Sequence, residues 1–423
     1  MKDKLIKLAK NNDIELEINE DKVEGVKISS TNDKIDLFNI SNITGYKIKA
    51  IKNDKCISFF TNNIDDTKTI IDNINKMFEL SDNDNKNRLC TGNITNRLKT
   101  RHEYDYNEIK NDLIRLYKEL KEEYKELNSL QTEFYAKMQG YYITNSNCEL
   151  IDEYEYNSFG VSYTLSKGND KKSVYYNMYS KEYNYETIKN SIQNSINTTL
   201  IKLNCGSCKT DKYNIILTNK CVDKLLYFFS DMFFSKYMDL NTSILSDKFN
   251  TKIFNEKINI IEDPMKKDAY INRIFDDEGI KTSYKEIIKD GKFIKKLNNL
   301  EYAIKNNEEP TGNSYGVMNL YLKPGKYSFD ELVKKLNNGI IIDNIEGLHA
   351  GVDKKTGNIS VLAEGLVVKD GKIVDGLNMI LLASNLFEIF NNVEAIGNDM
   401  STSLPAVFAP SLLLNNITIT GKN

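Results

Sequence analysis

The chain has 423 residues, 40% of them hydrophobic, and sets 57 Lys and Arg against 60 Asp and Glu for a formal net charge of −3. At roughly 100–200 residues per domain this length fits two or three domains with sizeable cores, which excludes a disordered tail. The slightly acidic balance, with no basic run long enough to track a phosphate backbone, argues against nucleic acid as the primary partner.

The first twelve residues place Lys2, Lys4, Lys7 and Lys10 among apolar residues, which reads as a short amphipathic helix ending at Lys10. No apolar segment of signal-peptide length follows it. Period-two patterns come next: Ile14, Leu16, Ile18 and Ile35, Leu37 read as antiparallel strands bounded by Asn and Asp turns. From Asp65 the spacing changes to Ile70, Ile71, Ile74, Met77 and Phe78, the stripe of a helix packed on that sheet. The polar run 81–87 reads as an exposed connection.

A long helix is expected over 106–139, with Asp105 as cap, Glu108 in capping-box register and Gly140 as stop signal. Its apolar stripe would run Ile109, Leu113, Leu116, Leu120, Tyr124, Leu127, Leu130, Phe134, and the interleaved Lys and Glu read as a solvated face. Residues 141–174 return to strands, and 185–203 are helical again.

After a loop at 205–210 short strands and Gly turns dominate. Strands are expected at 213–217, 258–261, 286–293, 317–321, 340–345, 359–368, 377–382 and 412–419, and helices at 220–237, 329–336 and 386–393. The expected fold class is α+β in two domains. An N-terminal α/β domain with an antiparallel sheet covers 1–206, its sub-segments meeting near 105, and a β-rich, barrel- or sandwich-like C-terminal domain covers 207–423. The longest apolar stretches, 225–229 and 379–383, fall far short of the roughly 20 residues a spanning helix needs. Six dispersed cysteines (Cys56, Cys90, Cys148, Cys205, Cys208, Cys221) suit reduced thiols rather than a disulfide framework. A cytoplasmic protein without membrane contact is expected.

Two histidines make the decisive inventory of chemistry. His102-Glu103 begins like an HExxH motif, but the later ligand position holds Tyr106 or Asn107, so His102 reads as a turn residue. Cys205-Gly206-Ser207-Cys208 is a lone CxxC with only Cys221 nearby, and it precedes a strand instead of opening a helix, so it reads as an ordinary loop. Glu346, His349 and Asp353 lie on a glycine-rich turn after the strand 340–345. Carboxylate, imidazole and carboxylate there form the candidate acid/base set if the turn faces a cavity. No GxSxG elbow, Walker loop or Rossmann fingerprint occurs.

Several short segments in fixed order resemble the TldD/TldE (PmbA) family, and its TldE side more closely. They are Phe275-Asp276-Asp277-Glu278-Gly279-Ile280, Lys289-Asp290-Gly291-Lys292, Pro310-Thr311-Gly312-Asn313-Ser314, the stretch 346–352, Thr356-Gly357-Asn358-Ile359-Ser360, the stretch 368–373, the NVEAIGND run 392–399, and the terminal run from Ala409-Pro410-Ser411-Leu412 through Ile417 to Gly421. Asn157-Ser158-Phe159-Gly160 is similar to the family's NS.G element in the first half.

The resemblance implies an α/β N-terminal part and a β-rich C-terminal part, pairing as a dimer around an enclosed cleft where peptides are cut. It also implies that TldD-type members bind zinc through an HExxxH helix and a later cysteine. On the helix after 213–217, Tyr227 and Met232 stand where the histidines would be and Phe228 where the general-base glutamate would be; all six cysteines precede residue 222. The expectation is a chain without catalytic or cofactor residues of its own, zinc being carried by a TldD-like partner, with unfolded peptide as substrate. A self-paired peptide-binding protein and a stand-alone hydrolase using Glu346, His349 and Asp353 are the alternatives. The label "modulator of DNA gyrase" attached to the family is read as indirect, given the acidic charge balance.

Overall fold

The computed structural model of the chain describes residues 1–81, 87–92, 94–401 and 403–421. Most of the connection expected at 81–87 lies outside the described residues. The first half runs α1 (Lys2–Lys10), β1 (Glu15–Thr31), β2 (Lys34–Lys52), β3 (Lys55–Thr61), α2 (Thr67–Leu80), α3 (Tyr106–Glu123), β4 (Leu127–Asn145), β5 (Glu149–Lys167), β6 (Asp170–Ser180) and α4 (Tyr185–Ile201). Its strands form one sheet ordered β3-β2-β1-β4-β5-β6, every neighbouring pair antiparallel.

The period of two decides what each face of this sheet meets. Leu16, Ile18 and Ile28 of β1 share one face; α1 and α2 cover its first part, and α3 and α4 cover the part around Ile28, Phe134 and Phe159. The opposite face carries Asn19 and Asp21 of β1, Gln139 and Tyr141 of β4, and Tyr154 and Tyr156 of β5, and it faces the second half of the chain.

The long helix expected over 106–139 is half helix and half strand. Asp105 caps α3 through the N–H groups of Asn107 and Glu108, as expected, but the helix ends at Glu123 and Tyr124 is extended. From there Leu130, Thr132, Phe134 and Ala136 are buried at every second position, with partners on both β1 and β5. Residues 124, 127, 130 and 134 satisfy a helical stripe as well as a buried strand face, and long-range pairing decides between them. Gly140 is a strand residue.

The second half runs β7 (Asp211–Leu217), α5 (Asn219–Phe229), α6 (Ser235–Asp239), β8 (Ile260–Glu262), β9 (Lys285–Lys289), β10 (Lys292–Phe293), α7 (Leu300–Asn306), β11 (Leu320–Leu322), α8 (Phe329–Leu336), β12 (Gly339–Glu346), α9 (Leu348–Gly351), β13 (Asn358–Lys369), β14 (Lys372–Asn385), α10 (Leu386–Asn391), β15 (Val393–Ile396), β16 (Val407–Phe408) and β17 (Leu412–Thr420). One sheet is ordered β14-β13-β12-β7-β17-β15, and an extra β14–β17 pairing closes it into a barrel; a second sheet is ordered β10-β9-β8-β11-β16.

The central strands are apolar on both faces. Ile215 and Leu217 point into the main core with α5, whereas Ile216, Ile341 and Leu413 pack under α8. This explains their unbroken runs of Ile and Leu. The helix expected over 220–237 is interrupted: a 3-10 turn (Ser230–Phe233) follows α5, and Phe234 is extended before α6. Leu297 causes the break, accepting from the N–H of Ser235 and donating its own N–H to Phe233. The helix expected over 386–393 stops at Asn391, because Val393 pairs with Leu414. No helix among the described residues is long and apolar enough to cross a membrane.

Candidate functional site

The tyrosine face of the first sheet and the loops of the second half enclose a cleft of about 770 Å³, within the range typical of ligand sites. Tyr141, Tyr154 and Tyr156 form its first wall, their rings in a row 6.1 and 6.2 Å apart. The second wall is the end of α5 and the turn after it. Leu225, Leu226 and Phe229 turn into the core, so Tyr227 and Phe228 emerge on the other side of the helix, Tyr227 56% exposed. Phe234 and Tyr237 continue this wall, and Tyr302 and Tyr315 add rings from the segments beyond.

Charge enters the cleft at three places. Asp231 and Lys354 pair at 2.7 Å, and the Lys354 ammonium lies 4.6 Å from the Phe228 ring centre. Lys236 leans over the Tyr237 ring and joins no ion pair among the described residues. Arg273, 2% exposed, is held between Tyr141 and Tyr315, its guanidinium carbon 3.5 and 4.8 Å from the two ring centres. Asp277 pairs with it at 3.0 Å, and Asp152 approaches at 3.9 Å while accepting from Arg97 and from the N–H of Ile274. Such stacking and pairing is what Arg supports and Lys does not. Burial pushes the hydroxyls of Tyr154, Tyr156 and Tyr315 upward, so they stay neutral donors at ordinary pH.

Across Arg273 and Tyr141 lies a second cavity of about 650 Å³ with the opposite charge pattern. Glu20, Asp21, Asp276 and Asp277 line it against Lys47 and Arg273. The Lys2 ammonium pairs with Glu20 and lies 5.2 Å from the Tyr142 ring centre. Asp276 is fully buried and acts as a staple: it accepts the N–H groups of Glu278 and Ile280 within its own turn, and that of Ser314 across the fold. Gly279, with φ of +73°, lies so close to Cys90 that a side chain there would strike the sulfur. Glu278 accepts from the N–H of Leu300, and burial raises its carboxyl to about 7. The run 275–280 thus joins the two halves at the second cavity, and through Ser314 it holds a segment that lines the cleft.

Glu346, His349 and Asp353 line neither cavity. All three are exposed. Glu346 accepts from Asn344, and His349 sits on the four-residue α9. Asp353 accepts from the N–H groups of Lys355 and Thr356 and the Thr356 hydroxyl, which hold its carboxyl below the usual range. Their neighbour Lys354 is the residue of that turn that reaches the cleft. His102 is exposed and lies edge-on to Tyr104. Cys205 and Cys208 precede β7; both are half-buried free thiols, and burial raises each.

Zinc takes thiolate, imidazole or carboxylate donors in a tetrahedral shell, and hydrolysis adds a base to receive the water's proton. Tyr227, Phe228 and Met232 offer a phenol, a hydrocarbon ring and a thioether, and Met232 is 3% exposed with its side chain in the core. This donor set does not fit the ion. Among the described residues no three of His, Cys, Asp and Glu gather closely enough to hold a metal.

Sequence reasoning passed over Arg273, Asp231, Lys354 and the tyrosine wall. Tyr154 and Tyr156 alternate in β5 and could have been found from period two; Asp231 and Lys354 are 123 residues apart, and no spacing rule joins them.

The profile of the PmbA/TldA metallopeptidase C-terminal domain matches residues 210–421, half of the chain. A PmbA metalloprotease homolog of Buchnera aphidicola is 34% identical over 181 residues, which are 43% of this chain and 40% of that protein. A metalloprotease of Methanothermobacter thermautotrophicus is 31% identical over 166 residues, 37% of this chain and 36% of that protein. These matches span between a third and about half of the length of the curated relatives. In fold the chain is similar to TldE from Thermococcus kodakarensis, with TM-score 0.84 and 19% identity over 99% of this chain and 100% of the other. A Thermotoga maritima protein, named as a candidate modulator of a DNA gyrase, gives TM-score 0.88 at 22% identity over 99% of both chains.

Proposed function

The chain belongs to the PmbA/TldD metallopeptidase family, and from that premise we propose that it is a non-catalytic, TldE-like subunit of a cytoplasmic peptidase complex. In this reading it pairs with a zinc-bearing, TldD-like partner and supplies a peptide-holding wall to the chamber in which unfolded peptide is cut. One observation carries it: the cleft beside α5 has the size and lining of a ligand site, while Tyr227, Phe228 and Met232 provide neither a metal shell nor a base. The work left to this chain is binding and positioning. Asn313 Oδ1 and the Tyr315 hydroxyl, buried in the cleft lining without a hydrogen-bond partner among the described residues, can meet backbone groups of an extended peptide, and the aromatic walls exclude water around it.

Co-expression with an HExxxH-bearing relative tests the proposal. The two chains should co-migrate at micromolar concentration, and the partner's hydrolysis of an unfolded protein such as casein should rise when this chain is added. Separate migration together with unchanged activity contradicts it. A single species containing only this chain, still able to bind peptide, would favour the self-paired alternative.

A further inference from the structure

We infer that the cleft selects peptide segments carrying aromatic and acidic side chains and disfavours basic ones. The inference rests on reading the cleft as a peptide site and adds to it the chemical class of the occupant. Two properties of the lining carry it. The first is ring density: Tyr141, Tyr154 and Tyr156 stand on one wall, with Tyr227, Phe228 and Tyr237 on another. An aromatic side chain entering between such walls finds both faces and edges, and gains more than its buried area alone would give.

The second property is charge. The chain as a whole is at −3, yet the lining of this cleft holds three cations, Lys236, Arg273 and Lys354, against one carboxylate, Asp231. Arg273 is matched from behind by Asp277 and Asp152, and Lys354 by Asp231, which leaves Lys236 as the cation of the lining without an ion pair among the described residues. The tyrosine hydroxyls add no negative charge, because burial holds them protonated. A carboxylate on the occupant therefore meets an unpaired ammonium, and a lysine or arginine meets a like charge. The neighbouring cavity shows the opposite arrangement: its carboxylates outnumber its cations, and one of them, Glu20, pairs with the Lys2 ammonium.

Calorimetric titration of the full chain with three blocked hexapeptides tests this. They alternate glutamate with phenylalanine, lysine with phenylalanine, and glutamate with leucine. The glutamate–phenylalanine peptide should bind most tightly, with the other two about tenfold weaker, the size expected for one lost charge pair or two lost aromatic contacts. Lys236→Glu, at an exposed position that leaves the fold intact, should close the gap between the glutamate–phenylalanine and lysine–phenylalanine peptides. Tyr227→Ala should weaken both phenylalanine peptides and leave the leucine peptide near its starting affinity. Equal binding of all three peptides, or a gap indifferent to Lys236→Glu, overturns this inference while leaving the cleft a peptide site. Binding by none of them overturns the reading of the cleft itself, and this inference with it.

Discussion

The two walls of the cleft are made by different means. The first is a regular sheet surface: alternation along β4 and β5 places Tyr141, Tyr154 and Tyr156 on the face away from the helices, and the register with β1 keeps them there. The second is irregular, built of loop segments far apart in the chain and held by buried carboxyl groups: Asp276 on the N–H of Ser314, Glu262 on Lys285 at 3.0 Å, Asp152 on Arg97 and Arg273. A sheet face tolerates loss of one side chain because its backbone ladder remains. A loop wall depends on each staple, since a buried charge without its partner is costly.

That contrast is sharpest at Asp152, which is fully buried and serves both walls. Asp152→Ala leaves Arg97 and Arg273 without their shared carboxylate and should cost about 3–5 kcal/mol in urea unfolding. Ile192→Ala, in the helix layer under the sheet, removes a fully buried side chain from an apolar environment and should cost about 2–4 kcal/mol. If Asp152→Ala proves milder than Ile192→Ala, the staple account of the second wall is wrong.

The next effect is on pH. Burial raises Asp223 to about 6 and Glu278 to about 7, both above their ordinary values. The folded state therefore holds these protons more tightly than the unfolded chain, so their contribution to stability is complete below about pH 4 and is lost as pH climbs through 6 and 7. The two together should remove on the order of a few kcal/mol between pH 5 and pH 8. Asp223 accepts from the hydroxyls of Ser401 and Ser403 and thus ties the segment after Asp399 to α5. Asp223→Asn keeps an acceptor there and should flatten the pH slope; an unchanged slope in pH-dependent thermal melts would contradict the assignment.

The smallest expected effect is at the turn after β12. His349 is exposed and lines neither cavity, so His349→Ala should change stability by no more than about 0.5 kcal/mol. Peptide hydrolysis by the purified chain that disappears in His349→Ala would instead revive Glu346, His349 and Asp353 as a hydrolytic set.

Local elements of the first half were legible in the sequence, whereas both walls of the cleft were passed over, for a physical reason. Ile14, Leu16 and Ile18 and the stripe from Ile70 to Phe78 are local patterns, and local patterns report local structure. The error over 106–139 arose where two periods share the residues 124, 127, 130 and 134, and only the pairing of Ile28 with Phe134 breaks the tie. Arg273 offers no local signal at all. Its meaning comes from Tyr141, Asp152 and Tyr315, brought to it from segments up to about 130 residues away by the packing of the sheet face on the loops.

The central claim is that the helix end at Tyr227 and Phe228 lines a peptide site and that Met232, buried behind it, completes no metal shell. Elemental analysis of the full chain, purified without chelator and dialysed against excess zinc, tests it most directly. The account predicts zinc far below one ion per chain; one zinc per chain, lost when Tyr227 or Met232 is replaced by alanine, would contradict it.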